Sequence, residues 1–148
     1  MKKIFLLVFG IVVISACQRD DFCIDPITPN LVIRFYDSDN QDIYKNVIDL
    51  TVWADGREEL YTGVTTDSIA IPLDPNNDMT LYHLSSEDLE DDITFLYTRK
   101  EVFVSRSCGF KYDFESLTFE DATNNWIEQI EITNENVTDE TEHVKILH

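Results

Sequence analysis

The sequence predicts an all-β protein: an antiparallel two-sheet β-sandwich of immunoglobulin-like or transthyretin-like Greek-key type, preceded by a cleaved signal peptide and a short tether. Three observations predict it. Short runs rich in Val, Ile, Thr, Tyr and Phe alternate apolar with polar side chains, the period of a half-buried strand. Clusters of Asp, Asn, Gly, Pro and Ser divide these runs at intervals of roughly 8–12 residues, the spacing of a sandwich. After the leader no segment has a helical period, so crossover helices and the parallel sheet they would build are not expected.

The strands follow in order. In Leu31 to Tyr36, Leu31, Ile33 and Phe35 share one face, with Arg34 and Tyr36 on the other. Ile48, Leu50 and Val52 repeat the pattern against Asp49, Thr51 and Trp53, up to the Asp55-Gly56 turn signal. A weaker strand spans Glu59 to Thr62. Ile69, Ile71 and Leu73 line the next, and Pro72 places it at a sheet edge, because proline donates nothing to a ladder. Asp74-Pro75-Asn76-Asn77 is a turn by composition. Met79 to Leu84 and Ile93 to Thr98 are further strands, with Ser85 to Asp92 between them as a solvated acidic loop. Arg99-Lys100-Glu101 is a polar corner before Val102 to Ser105. Phe110, Tyr112 and Phe114 alternate against Lys111, Asp113 and Glu115; Trp126 to Thr133 is a long strand; Val144 to Leu147 closes the chain.

Ahead of the domain, Met1-Lys2-Lys3, the apolar run Ile4 to Ile14 and then Ser15-Ala16-Cys17 have the order of a secretory signal. The run is well short of the about 20 residues that cross a bilayer as a helix. Ile14-Ser15-Ala16-Cys17 resembles the bacterial lipobox, in which small residues flank the scissile bond and the cysteine carries diacylglycerol. Several acyl chains, at about 0.8 kcal/mol per buried CH₂, anchor stably where one is marginal. The expected organisation is a signal peptide at 1–16, a lipidated tether at 17–25 and one domain at 26–148, a length suited to a single core.

The chain holds 29 acidic and 11 basic residues, a formal charge of −18. Nucleic acid and anionic head groups are poor partners for such a chain; the charge keeps a tethered domain soluble and off the lipid surface. With Cys17 assigned to lipid, Cys23 and Cys108 remain as an even pair in an oxidising compartment. A disulfide between them is expected, two separate thiols being the alternative. Closing that loop contributes roughly 4–5 kcal/mol in the chain-entropy model.

Candidate chemistry is sparse. Asp37, Asp39 and Asp42 offer hard oxygen ligands to calcium on a turn, although Gln41, Asp42 and Ile48 break the EF-hand pattern. Asp67-Ser68-Ile69 looks like the O-glycosylation acceptor of Bacteroidota, with Ser68 as the acceptor. His83, His143 and His148 lie in no motif with a nucleophile, and no Gly-x-Ser-x-Gly, His-Glu-x-x-His or phosphate-cradling loop is present. No enzymatic activity and no cofactor are expected, calcium aside. Tyr36, Trp53, Tyr61, Tyr82, Tyr97 and Trp126 are core residues by alternation, or anchors of a contact face.

The segments Leu31 to Asp37, Thr66 to Leu73, Val104 to Phe110, Asn125-Trp126-Ile127 and His143 to Leu147 resemble a family of small flavobacterial lipoproteins catalogued as a domain of unknown function. That resemblance implies an outer-membrane lipoprotein with one β-rich domain, a cysteine pair at Cys23 and Cys108, and a β-barrel protein of the outer membrane as partner. Gln18-Arg19-Asp20-Asp21 is similar to the signal that sends Bacteroidota lipoproteins across the outer membrane, which implies the cell surface rather than the periplasmic leaflet. The expectation is a non-enzymatic binding or assembly module docked on a barrel. A surface module for glycan or calcium is the alternative, and a carboxylate-based hydrolase comes third.

Overall fold

A computed structural model describes Cys23 and residues 28–148. The expected signal peptide at 1–16, the expected lipidation site Cys17 and the expected export signal at Gln18, Arg19, Asp20 and Asp21 lie outside the described residues. Those residues form nine strands: β1 (Leu31–Tyr36), β2 (Val47–Ala54), β3 (Glu59–Thr66), β4 (Ser68–Ile71), β5 (Met79–Ser86), β6 (Leu89–Ser105), β7 (Gly109–Glu120), β8 (Gln129–Ile132) and β9 (Glu142–Leu147). One sheet runs β4-β1-β9-β8 and the other β3-β2-β5-β6-β7. Every pairing is antiparallel except β1 with β9. The chain passes from β1 in one sheet to the β2–β3 hairpin in the other, then returns so that β4 pairs with β1, the route of a Greek key. It is not the immunoglobulin order, where the first and second strands are neighbours in one sheet.

Apolar residues from both sheets meet in one core. Leu31, Ile33 and Phe35 of β1 and Val144 and Ile146 of β9 face Leu50, Val52, Tyr82, Leu84, Ile93 and Phe95 from the other sheet. Proline marks the edge as expected: β4 is the outer strand, and Pro72 follows its last residue.

Four local readings require correction. Ile48 does not share the buried face of Leu50 and Val52; it is 60% exposed, and Val47 takes the inward place. Asp49 turns to φ 54° and the register slips between Val47 and Leu50, so a bulge resets the alternation. The acidic segment is a tight β5–β6 hairpin rather than a loop, since Ser86 pairs with Leu89 and Glu87 adopts φ 55°. The Arg99-Lys100-Glu101 corner is strand: β6 runs unbroken for 17 residues. Finally, the strand expected from Trp126 to Thr133 is confined to Gln129–Ile132, and the backbone from Asn125 to Ile127 is held by a buried carboxylate.

That carboxylate is Asp91, fully buried within the acidic run. Its Oδ1 accepts the Asn125 N–H at 2.7 Å and the Thr123 hydroxyl at 2.8 Å, while Oδ2 accepts the N–H groups of Trp126 and Ile127, each at 2.8 Å. Burial pushes the acid's pKa up, yet the bonds from Ile127, Trp126, Asn125 and Thr123 outweigh it and hold the group below the ordinary aspartate value.

The two ends of the sandwich differ. Leu31 pairs with Ile71, so the chain enters beside the loop that follows β4. The β2–β3 turn lies at this end, since Ala54 pairs with Tyr82 near the start of β5. At the opposite end are the 37–46 connection and the Glu87-Asp88 turn.

Candidate functional site

The end where the chain enters carries an unusual projection. β5 stops pairing with β6 at Met79 and Leu96, whereas β6 and β7 stay paired out to Ser105 and Gly109. The last nine residues of β6 and their partners therefore form a two-stranded ribbon, about 30 Å long at ~3.3 Å per residue. Its base is braced: Arg99 Nε donates to Asp78 Oδ1 at 2.7 Å, and the Tyr112 N–H donates to Thr28 Oγ1 at 3.0 Å. Val137 bridges to Phe114, whose ring is fully buried in the core, and Tyr112 farther out packs against that core partly buried.

At the far end of the ribbon two aromatic rings leave the core entirely. Phe103 and Phe110 are a cross-strand pair, 58% and 62% exposed, with centroids 5.3 Å apart in an edge-to-face contact. The alternation that assigns Phe110 to the buried face of Phe114 holds along the strand, but the second sheet does not extend under it. Gly109 closes the turn at φ 75°, a left-handed conformation that costs glycine nothing. Cys108, beside it, is bonded to Cys23, so the expected disulfide forms and ties the ribbon tip to the incoming segment.

A groove flanks the base of the ribbon. The β2–β3 turn and the loop before β5 line it, with Leu60, Pro72, Met79 and Leu81 supplying apolar surface. Leu60 and Met79 are about half exposed, at 45% and 50%.

On the outer face of the larger sheet, Trp53, His83 and Asp92 form a row across three strands. His83 Nδ1 lies 2.6 Å from Asp92 Oδ1 and 3.4 Å from Glu90 Oε1, and Nε2 is 3.8 Å from Asp55 Oδ1. Trp53 stacks on the imidazole at 5.1 Å. Among the described residues, His83, Glu90 and Asp92 are the one group of three whose ligand atoms lie within 4.8 Å of one another. Nitrogen with carboxylate oxygens suits a proton or a transition cation better than calcium.

The proposed calcium ligands are not gathered in this way. Asp37 Oδ1 accepts the Asp39 N–H at 2.8 Å in a local turn, and Asp39 and Asp42 point to solvent. Ser68 is half buried at the start of β4, its N–H donating to Thr66 Oγ1. Of the aromatic residues, Tyr36, Tyr82 and Tyr97 are buried and Tyr61 and Trp126 pack against the core, whereas Trp53 serves the outer face. Sequence alternation missed Phe103 and Phe110 as surface residues. One signal was available: Val102 to Phe110 has no carboxylate in a chain with 29.

Residues 49–148 match the model of a family of unknown function, DUF6452. The chain belongs to this family. The DUF6452 match begins inside β2 and takes in the ribbon, the groove and Cys108, while β1 and Cys23 precede it. Neither a curated protein nor a solved structure matches the chain.

Proposed function

We propose that this DUF6452 protein is a lipid-anchored, non-enzymatic binding or assembly module of the outer membrane that docks on an integral β-barrel protein. One observation carries the reading: the Cys23–Cys108 bond joins the ribbon end of the sandwich to a point six residues beyond Cys17. At about 3.3–3.6 Å per extended residue, a lipid on Cys17 holds that end within roughly 20 Å of the bilayer. The groove at Leu60, Pro72, Met79 and Leu81 then faces the membrane plane, where the proteins within reach are those embedded in it. A barrel supplies such a surface at its rim, and apolar side chains exposed in a groove are what a docking partner covers.

The test is affinity purification of the full-length protein from gently solubilised outer membrane. The expected result is a heat-modifiable barrel at stoichiometric yield, reduced at least tenfold by Leu60→Asp with Met79→Asp. Wild-type protein recovered alone refutes the docking. Protease shaving of intact cells separates cell-surface display, the orientation proposed here, from the periplasmic leaflet.

A second reading, a cation-binding module, draws on His83, Glu90 and Asp92 rather than on Asp37, Asp39 and Asp42. Zinc titration followed by calorimetry tests it, and a melting temperature indifferent to zinc rules it out.

A further inference from the structure

We propose that the ribbon tip is a membrane foot: Phe103 and Phe110 enter the headgroup boundary of the bilayer and set the domain upright on its lipid anchor. This rests on lipid attachment at Cys17, part of the function proposed above, and adds a second, protein-borne contact with the same membrane.

Three independent features converge on the tip. The first is tether length. Cys23 lies six positions after Cys17 and is bonded to Cys108, two positions from Phe110. An extended tether of about 20–22 Å and the 4.9 Å Cα–Cα span of the disulfide keep Cys108 within about 27 Å of the lipid. The second is exposed apolar surface. The two rings stand side by side from paired positions near the ribbon tip, each more than half exposed among the described residues. Aromatic side chains at the water–lipid boundary bury their faces while the backbone beside them stays hydrated.

Charge is the third. The body of the domain is strongly acidic and is repelled by anionic head groups. Val102 to Phe110 carries one charged residue, Arg106, at the turn, flanked by Ser105 and Ser107. Glu115 and Asp113 farther along the ribbon are matched by Lys100 and Lys111, at 2.7 and 2.8 Å, and Glu101, just outside the stretch, is exposed. The tip thus sets Arg106 close to two exposed aromatic rings on a stretch free of carboxylates. The acidic 37–42 and 87–88 connections stand at the other end of the sandwich, away from the lipid.

A protein cover is the competing occupant, and one experiment separates it. Full-length lipidated protein carrying Phe103→Trp is reconstituted into vesicles of phosphatidylethanolamine and phosphatidylglycerol, with or without brominated acyl chains; wild type supplies the Trp53 and Trp126 background. We expect bromine to reduce the added emission at least twofold. Ile43→Trp, exposed at the far end, stays unquenched. Vesicle flotation of the wild type reports the anchor separately. If wild type floats and position 103 is not quenched, the foot is wrong and the anchor stands. Should the wild type fail to float, both fall. A blue shift in native outer-membrane vesicles without bromine quenching marks a protein cover and overturns the foot.

Discussion

Removing the Asp91 carboxylate is the sharpest test of how this sandwich holds the irregular connection between β7 and β8. Asp91→Ala deletes four accepted hydrogen bonds. Thr123 and Asn125 are exposed, so water replaces the carboxylate for them. The N–H groups of Trp126 and Ile127 are half-buried and buried, and they lose a charged acceptor outright. Hydrogen bonds to a charged group contribute about 1.5–3 kcal/mol each. Relief of the buried charge offsets part of this, leaving a net loss of about 3 kcal/mol. Domains of this size have about 5–15 kcal/mol in total, and the loss corresponds to a fall in Tm of about 10 °C.

Asp91→Asn costs about as much, because the amide keeps one acceptor and turns its NH₂ toward N–H donors. Urea denaturation followed by tryptophan fluorescence gives the number, since Trp126 is fixed to the Leu84 carbonyl by its indole N–H at 3.0 Å. A loss below about 1 kcal/mol would refute the claim that this carboxylate anchors residues 123–127. The pH dependence has a definite sign. With the folded pKa below the ordinary value, the stabilisation is complete above about pH 4 and is lost as pH falls through the folded pKa. The gap between wild type and Asp91→Ala therefore narrows in acid.

Three further outcomes are expected. Cys108→Ser opens a loop spanning a sequence separation of 85 and lowers stability by up to about 4–5 kcal/mol, which calorimetry under non-reducing conditions measures; no change would mean the bond constrains nothing. Gly63→Ala costs about 1–2 kcal/mol, because Gly63 sits at φ +60° and an added Cβ falls 3.0 Å from Asp49 Oδ1; a neutral result in urea titration would contradict the bulge geometry. Burial holds His143 below its usual pKa, and its Nδ1 accepts the Val32 N–H at 3.2 Å. The unfolded chain then binds a proton that the fold refuses, so stability falls as pH drops below about 6.5. His143→Asn shows a smaller loss between pH 7.5 and 5.5; His148, shifted down by burial as well, retains its share.

Much of the fold was legible because period-two alternation reports which face of a strand is buried. Leu31, Ile33 and Phe35, Leu50 and Val52, and Ile69 and Ile71 all face the core as their spacing implies. Cysteine parity similarly pointed to the Cys23–Cys108 bond. Alternation fails where the backbone slips, as at Asp49, and where polarity belongs to one atom rather than to a segment. Glu90, Asp91 and Asp92 read alike in sequence, yet Asp91 alone turns inward, to N–H groups more than 30 residues away.

The candidate site follows the same division. By itself the sequence determined a β-sandwich, its acidic charge, a lipobox-like leader, and a stretch from Val102 to Phe110 free of carboxylates. Only the tertiary structure decided that Phe103 and Phe110 face water while Phe114 lies in the core. The physical reason is that burial belongs to the space between two sheets. Phe110 and Phe114 share one periodicity, but the facing sheet ends before the ribbon does, and no local pattern states where a non-local neighbour stops.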